Sequence, residues 1–284
     1  MTPKGRTLLK QRLSYLLILV LAGSILIWAY PRAKPEWVFF RNAEASFRKR
    51  DYARAADFYS EAVDRGLRNT PVFVRLMELA AIYKDKGELD RAEKLYRIVL
   101  AHKKDEQAVP PTEHAKDIPD WVARRELARV LFYLKRYEES INEYRKLVAE
   151  KPGLHEARVE MAEVFFAAGL SGEAMKVLKE VPPEKLGEKG RLLMAEVHVS
   201  NKEFDRAETL YRELLGRNPS NREVRLKLAE VLAWSKKYEE SISEYRRALA
   251  AEPGDIQARR RYAFVLIWAG RFEEAAEELR KTFK

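Results

Sequence analysis

The sequence predicts an all-α solenoid of about seven helix-turn-helix repeats, preceded by one transmembrane helix. Three observations carry that prediction. One sparse residue pattern recurs through residues 121–284 at successive intervals of 34, 33, 34 and 34. Two columns of small residues stand twelve apart in seven copies, and residues 13–30 form an eighteen-residue run without a charge.

The small columns define the hairpins. The first is Ala43, Ala80, Ala128, Ala162, Ala195, Ala229 and Ala263; the second is Ala55, Ala92, Ser140, Ala174, Ala207, Ser241 and Ala275. Small residues at a helix crossing let two backbones approach. Four residues after the second column come Tyr59, Tyr96, Tyr144, Leu178, Tyr211, Tyr245 and Leu279, one helical turn further along the same face. The clearest copy, residues 222–255, holds Leu228-Ala229, Leu232, Tyr238, Ser241, Tyr245, Ala248 and Pro253. Each copy therefore reads as two amphipathic helices joined by a tight turn.

A period near 34 with paired small residues, large apolar residues and a closing proline resembles the tetratricopeptide repeat (TPR) family. The resemblance implies a right-handed TPR solenoid over residues 36–284. Its repeats lie near 36–69, 73–106, 121–154, 155–187, 188–221, 222–255 and 256–284. Pro152, Pro219 and Pro253 fill the closing-proline column, where they can end a helix. The fourth copy brings its prolines early, at Pro182-Pro183, and the first has Asn42 and Ser46 where apolar residues are expected.

Residues 1–12 are basic, with Lys4, Arg6, Lys10 and Arg12. As a helix, residues 13–30 span about 27 Å against a hydrocarbon core of about 30 Å. Trp28 and Tyr30 at the far end suit an interfacial aromatic belt. Ala22-Gly23-Ser24 offers a cleavage site for a signal peptide, although Ile25-Leu26-Ile27-Trp28 carries the apolar run through it. The favoured reading is an uncleaved anchor with a cytoplasmic N-terminus. The repeats are then expected outside the cytoplasm, which in a Gram-negative cell is the periplasm.

Fourteen residues beyond the period lie within 101–120, a polar stretch with Pro110-Pro111 that reads as a surface loop. Its His102, Glu113, His114, Asp117 and Asp120 have no recognised metal-ligand spacing, so no metal site is expected. The chain has no cysteine, which excludes thiolate chemistry and disulfides. Charged residues make up 35% and apolar residues 46%, as expected when every helix is amphipathic and the core is a ribbon. Net charge is +10, but it runs from +3 in residues 121–154 to −2 in 155–187, so no continuous nucleic-acid stripe exists. No nucleophile elbow, phosphate loop or metal-binding helix motif occurs, which argues against an enzyme, and no cofactor is expected.

The resemblance to TPR proteins implies a groove lined by the first helix of each hairpin. One residue past the first column stand Arg129, Glu163, Glu196, Glu230 and Phe264; five past it stand Tyr133, Trp234 and Trp268. With Arg125 and Arg260, these residues predict a groove with an acidic centre, arginines toward its ends and aromatics beside both. Glutamates in a row suit a basic peptide or a cationic polymer, and aromatic faces suit sugar rings. In the competing reading the glutamates form a solvated face, the tryptophans pack between repeats, and Arg259-Arg260-Arg261 is a solvated run. The TPR groove that clamps a chaperone's C-terminal carboxylate uses Lys and Asn, which these columns lack. Absence of cysteine also excludes membrane-anchored TPR proteins that end in a cysteine-bound metal module.

Two roles are therefore expected. The first is a membrane-anchored scaffold for protein partners of a bacterial envelope assembly. The second is polysaccharide handling, because Leu232-Ala233-Trp234-Ser235-Lys236-Lys237-Tyr238-Glu239-Glu240 and Ile267-Trp268-Ala269-Gly270-Arg271-Phe272-Glu273-Glu274 resemble TPR units of bacterial exopolysaccharide secretion proteins. The last hairpin has no capping helix after it, which predicts docking or self-association near Leu266, Phe272 and Leu279.

Overall fold

A computed structural model describes residues 35–102 and 119–283. These residues form fourteen α-helices and no strand. In chain order they are α1 (Pro35–Arg48), α2 (Tyr52–Asp64), α3 (Thr70–Asp85), α4 (Leu89–His102), α5 (Asp120–Tyr133), α6 (Tyr137–Glu150) and α7 (His155–Ala167). The remainder are α8 (Ser171–Lys179), α9 (Gly187–Ser200), α10 (Phe204–Arg217), α11 (Arg222–Trp234), α12 (Tyr238–Ala251), α13 (Ile256–Trp268) and α14 (Phe272–Arg280). The expected transmembrane segment, residues 13–30, lies outside the described residues. Among those described, no helix is long and apolar enough to cross a membrane.

The chain divides into two compact units, Met1–Arg136 and Tyr137–Lys284. In the first, hairpins α1/α2 and α3/α4 and helix α5 share one apolar core running from Ala43 to Leu131. In the second, α7/α8, α9/α10, α11/α12 and α13/α14 pair as hairpins. The cores of the last three pass from Ala195 to Leu232 and onward through Tyr245, Tyr262 and Ala275.

The small columns sit where the sequence places them. All fourteen members are buried, thirteen of them with no exposure. At one crossing the Ser241 hydroxyl donates 2.7 Å to the Ala229 carbonyl, so residues twelve apart meet across α11 and α12. The tyrosines one turn on fill the interior, with Tyr59, Tyr96, Tyr144, Tyr211 and Tyr245 all essentially inaccessible. Tyr59 is satisfied by donating 2.6 Å to Glu44, which Arg75 holds from the next hairpin at 2.8 Å. Burial pushes the Glu44 carboxyl up, and the Arg75 and Tyr59 hydrogen bonds outweigh it, so it titrates below its ordinary value.

One turn geometry recurs. Seven residues after each first-column alanine the backbone is left-handed, at Arg50, Gly87, Lys135, Gly169, Lys202, Lys236 and Gly270. The following N–H then bonds the carbonyl five residues back, from Asp51 to Ser46 through Arg271 to Leu266, at 2.8–3.0 Å in all seven copies. This closure satisfies carbonyls that the ending helix leaves unpaired. Four hairpins use a cationic residue where glycine is cheapest.

A second device joins helix to connection. Arg158, Arg225 and Arg259, each four residues before a first-column alanine, donate to the carbonyls of Pro152, Pro219 and Pro253. Arg191 does the same to Pro183 at 2.7 Å. The early prolines of the fourth copy thus keep the carbonyl contact, reached over eight residues instead of six.

Candidate functional site

The first helices of the second unit carry the candidate site. Each glutamate of the expected row points at a cation on the next first helix. Glu163 on α7 accepts 2.6 Å from Lys189 on α9, Glu196 accepts 2.7 Å from Lys227 on α11, and Glu230 accepts from Arg261 on α13. Lys227 also stands 3.7 Å from Glu223. The row is therefore a ladder of ion pairs, which corrects the expected acidic centre. The cations that neutralise Glu196 and Glu230 sit two residues before the next first-column alanine, so the hairpin repeat itself brings the partners into register. In the first unit, Glu44 occupies the same column and pairs with Arg75. Glu44, Arg75, Lys189 and Lys227 did not stand out in the sequence and Arg261 read as part of a solvated run, although a Lys or Arg two residues before the next first-column alanine marks both Lys227 and Arg261.

Between α11 and α13 a cleft of about 500 Å3 opens. Its walls are Trp234, Phe264 and Trp268, with Ala233, Val265 and Tyr245 deeper and the Glu230–Arg261 pair at one side. Trp234, Phe264 and Trp268 are 46%, 53% and 52% exposed, so each keeps about half of its surface open to the cleft and solvent. Trp234 leans on Phe204 from the preceding hairpin, ring centroids 5.8 Å apart, which fixes its orientation while leaving one face open. An adjoining cleft of about 250 Å3 shares Glu230 and Trp234 and extends to Phe166, Val199 and Tyr211. Burial first, then Glu196 and Glu230, push the Tyr211 hydroxyl up. Burial and Glu230 do the same for Tyr245, partly opposed by Arg261.

The remaining expected residues divide by unit. Glu230, Trp234, Phe264 and Trp268 meet at one cleft, and Glu196 lines its neighbour. Arg125, Arg129 and Tyr133 belong to α5 in the first unit, where Arg129 donates 2.8 Å to Glu126 and Tyr133 is exposed beside Phe132. The run Arg259-Arg260-Arg261 is not uniformly solvated: Arg259 binds Glu278 and Pro253, Arg261 binds Glu230, and Arg260 is exposed. Leu266 is fully buried, so it offers nothing to a second chain, whereas Phe272 is exposed. Among the described residues no group of side chains could hold a metal ion. Most of the polar loop, residues 103–118, lies outside them, while His102 ends α4 and Asp120 begins α5.

Three tetratricopeptide repeat models match, over residues 76–109, over 131–197 with 235–283, and over 192–256. No curated protein matches the chain. Among solved structures, a tetratricopeptide repeat protein from Parabacteroides merdae is similar at 16% identity and TM-score 0.57. That match covers 87% of this chain and 91% of that one. A MamA structure is similar at 16% identity and TM-score 0.53, covering 57% and 89%. YrrB, described as a TPR protein with an unusual peptide-binding site, is similar at 17% identity and TM-score 0.50, covering 57% and 84%. With repeat models matching about two thirds of its length and its helices folded as paired hairpins, this chain belongs to the tetratricopeptide repeat family.

Proposed function

We propose that the chain is a scaffold that holds a protein partner in the cleft between α11 and α13. Residues 13–30 anchor it in the cytoplasmic membrane as part of a bacterial envelope assembly. The observation that carries the reading is the set of three half-exposed aromatic rings around one preformed cleft. Large aromatic side chains left open to water around a concavity cost hydration free energy that a partner recovers on binding. Open aromatic rings are also the residue type that dominates binding energy at interfaces. The peptide-binding site of YrrB is a precedent within the fold, at low identity. The anchor rests on the length and flanks of the apolar run.

The test is site-directed photocrosslinking in the native host. A photoreactive phenylalanine at position 264 is expected to yield a discrete adduct, lost on Trp268→Ala; the same group at Arg246, exposed on α12, is expected to yield none. Equal labelling from both positions, or adducts indifferent to Trp268→Ala, would remove the cleft from the proposal. Recovery of the full-length chain in the soluble fraction with Met1 attached would remove the anchor.

The same rings support a second reading, polysaccharide binding, because indole faces stack on the apolar faces of sugars. Titration of the full-length chain with neutral and cationic polysaccharides, followed by tryptophan fluorescence, decides it. A response abolished by Trp234→Ala or Trp268→Ala supports it; no response at high sugar concentration sinks it.

A further inference from the structure

We infer that the cleft selects an acidic peptide: a segment that seats an apolar or aromatic side chain among Trp234, Phe264 and Trp268 and places a neighbouring carboxylate on Arg260. The inference rests on the peptide-binding reading above and adds the chemistry of the partner. It reverses the expectation, drawn from the glutamate row, that a basic ligand fits here.

The charge inventory of the groove carries the argument. Glu196 and Glu230 are already neutralised by Lys227 and Arg261, each through a direct hydrogen bond. A basic ligand would have to break one of those pairs to reach a carboxylate, losing an interaction to gain a similar one. Arg260 differs. It is exposed on α13 and makes no hydrogen bond or ion pair among the described residues. Arg260, Phe264 and Trp268 are spaced four residues apart, so they rise along one side of the helix. Gln257, one turn earlier, is uncharged. A carboxylate arriving at Arg260 therefore forms a charge-assisted pair without displacing anything, and Arg suits it because its planar fork matches two oxygens.

The apolar half of the recognition follows from the walls. The cleft of about 500 Å3 lies within the range of specific ligand sites and is lined chiefly by rings and aliphatic side chains. With Glu230 tied to Arg261, few free acceptors remain for sugar hydroxyls, which favours a side chain over a saccharide.

The full-length chain is to be titrated with an arrayed set of fluorescent twelve-residue peptides. Their central residue is Phe, Leu, Ala or Ser and their flanks carry Glu, Lys or Gln; maltoheptaose and chitohexaose are included. Peptides with a Phe or Leu centre and Glu flanks are expected to bind about tenfold more tightly than their Lys-flanked counterparts, the size of one well-placed charge pair. Arg260→Glu is expected to invert that preference, while Trp268→Ala weakens both by a similar factor. Circular dichroism checks that the variants keep their helices, and both side chains are exposed. Peptide binding that is lost on Trp268→Ala but ignores flanking charge overturns this inference and leaves the peptide reading standing. Binding to no peptide, or to an oligosaccharide alone, overturns both.

Discussion

Lys227 Nζ lies 2.7 Å from the Glu196 carboxylate of the preceding hairpin, and Arg261 stands to Glu230 as Lys227 does to Glu196. Each pair bridges neighbouring repeats, so it reports on their register. Burial pushes the Lys227 ammonium down, and the hydrogen bond from it to Glu196 outweighs that, raising it above its ordinary value. A raised cation contributes stability that is fully present below its unfolded value and is lost only as pH rises through the native one. At neutral pH the pair is therefore intact. Lys227→Glu would gather a fourth carboxylate beside Glu196, Glu223 and Glu230. The expected cost is about 1 kcal/mol at low ionic strength, shrinking in about 1 M salt because the charges are partly exposed. Urea unfolding at the two ionic strengths checks it; a cost independent of salt would mean that packing, not charge, is lost.

Asp255 yields a pH prediction. Its side chain caps α13 by accepting 2.8 Å from the Ala258 N–H and takes a second hydrogen bond, 2.5 Å, from Arg222. The backbone hydrogen bond first, then Arg222, hold its carboxyl below the ordinary value of 3.8. A depressed carboxyl gives stability present above its unfolded value and lost as pH falls through the native one. Asp255→Ala is expected to cost about 1–2 kcal/mol at neutral pH. The gap to the unmodified protein should close as pH drops below the ordinary carboxylate range, and Asp255→Asn, which keeps the acceptor but not the charge, should fall between. A gap unchanged at low pH would show that the cap works without its charge.

The turns make a third prediction. Lys202 and Lys236 hold positive φ of about 60° where Gly270 serves in the last hairpin. A left-handed residue with a Cβ costs about 1 kcal/mol over glycine, less the entropy that glycine gains when unfolded. Lys202→Gly is expected to raise the unfolding midpoint slightly, and Gly270→Ala, which meets no steric neighbour, to lower stability by about 1 kcal/mol. Thermal melts distinguish the two signs; a stabilising Gly270→Ala would contradict the backbone argument.

The hairpins were legible in the sequence because small residues at a crossing admit no substitute. Ala229 and Ser241 announce their contact by size alone, and their twelve-residue spacing survives every insertion. The site was legible only in its apolar half. Trp234 and Trp268 stand out by type, the 34-residue period puts them in one column, and helical spacing puts Phe264 one turn before Trp268. Charges gave no such guide. Glu230 looks the same in a row of glutamates whether it is free or paired, and its partner Arg261 lies thirty-one residues away, inside what reads as a solvated run. Long flexible side chains choose partners by repeat geometry, which no local pattern records. The arginine-to-proline contacts, by contrast, do leave a local mark: Arg158, Arg225 and Arg259 each stand six residues after the closing proline.

That run of arginines supplies the sharpest contrast. Arg259 is largely buried, donates 2.6 Å to the Pro253 carbonyl and pairs with Glu278, whose carboxyl is also mostly covered. Burial pushes the Glu278 carboxyl up, and hydrogen bonds from Lys281 and Arg259 outweigh it, holding it low. Removing Arg259 leaves a carbonyl without its donor and a covered carboxylate with only Lys281, 2.7 Å away. Losing a partner from a covered pair costs more than an exposed pair is worth, so Arg259→Ala is expected to lose about 2 kcal/mol. Arg260→Ala, one position on, removes only an exposed side chain and should stay within about 0.5 kcal/mol. Denaturant unfolding of the two variants side by side tests the assignment, since equal losses would mean that the two adjacent guanidinium groups have been given the wrong roles.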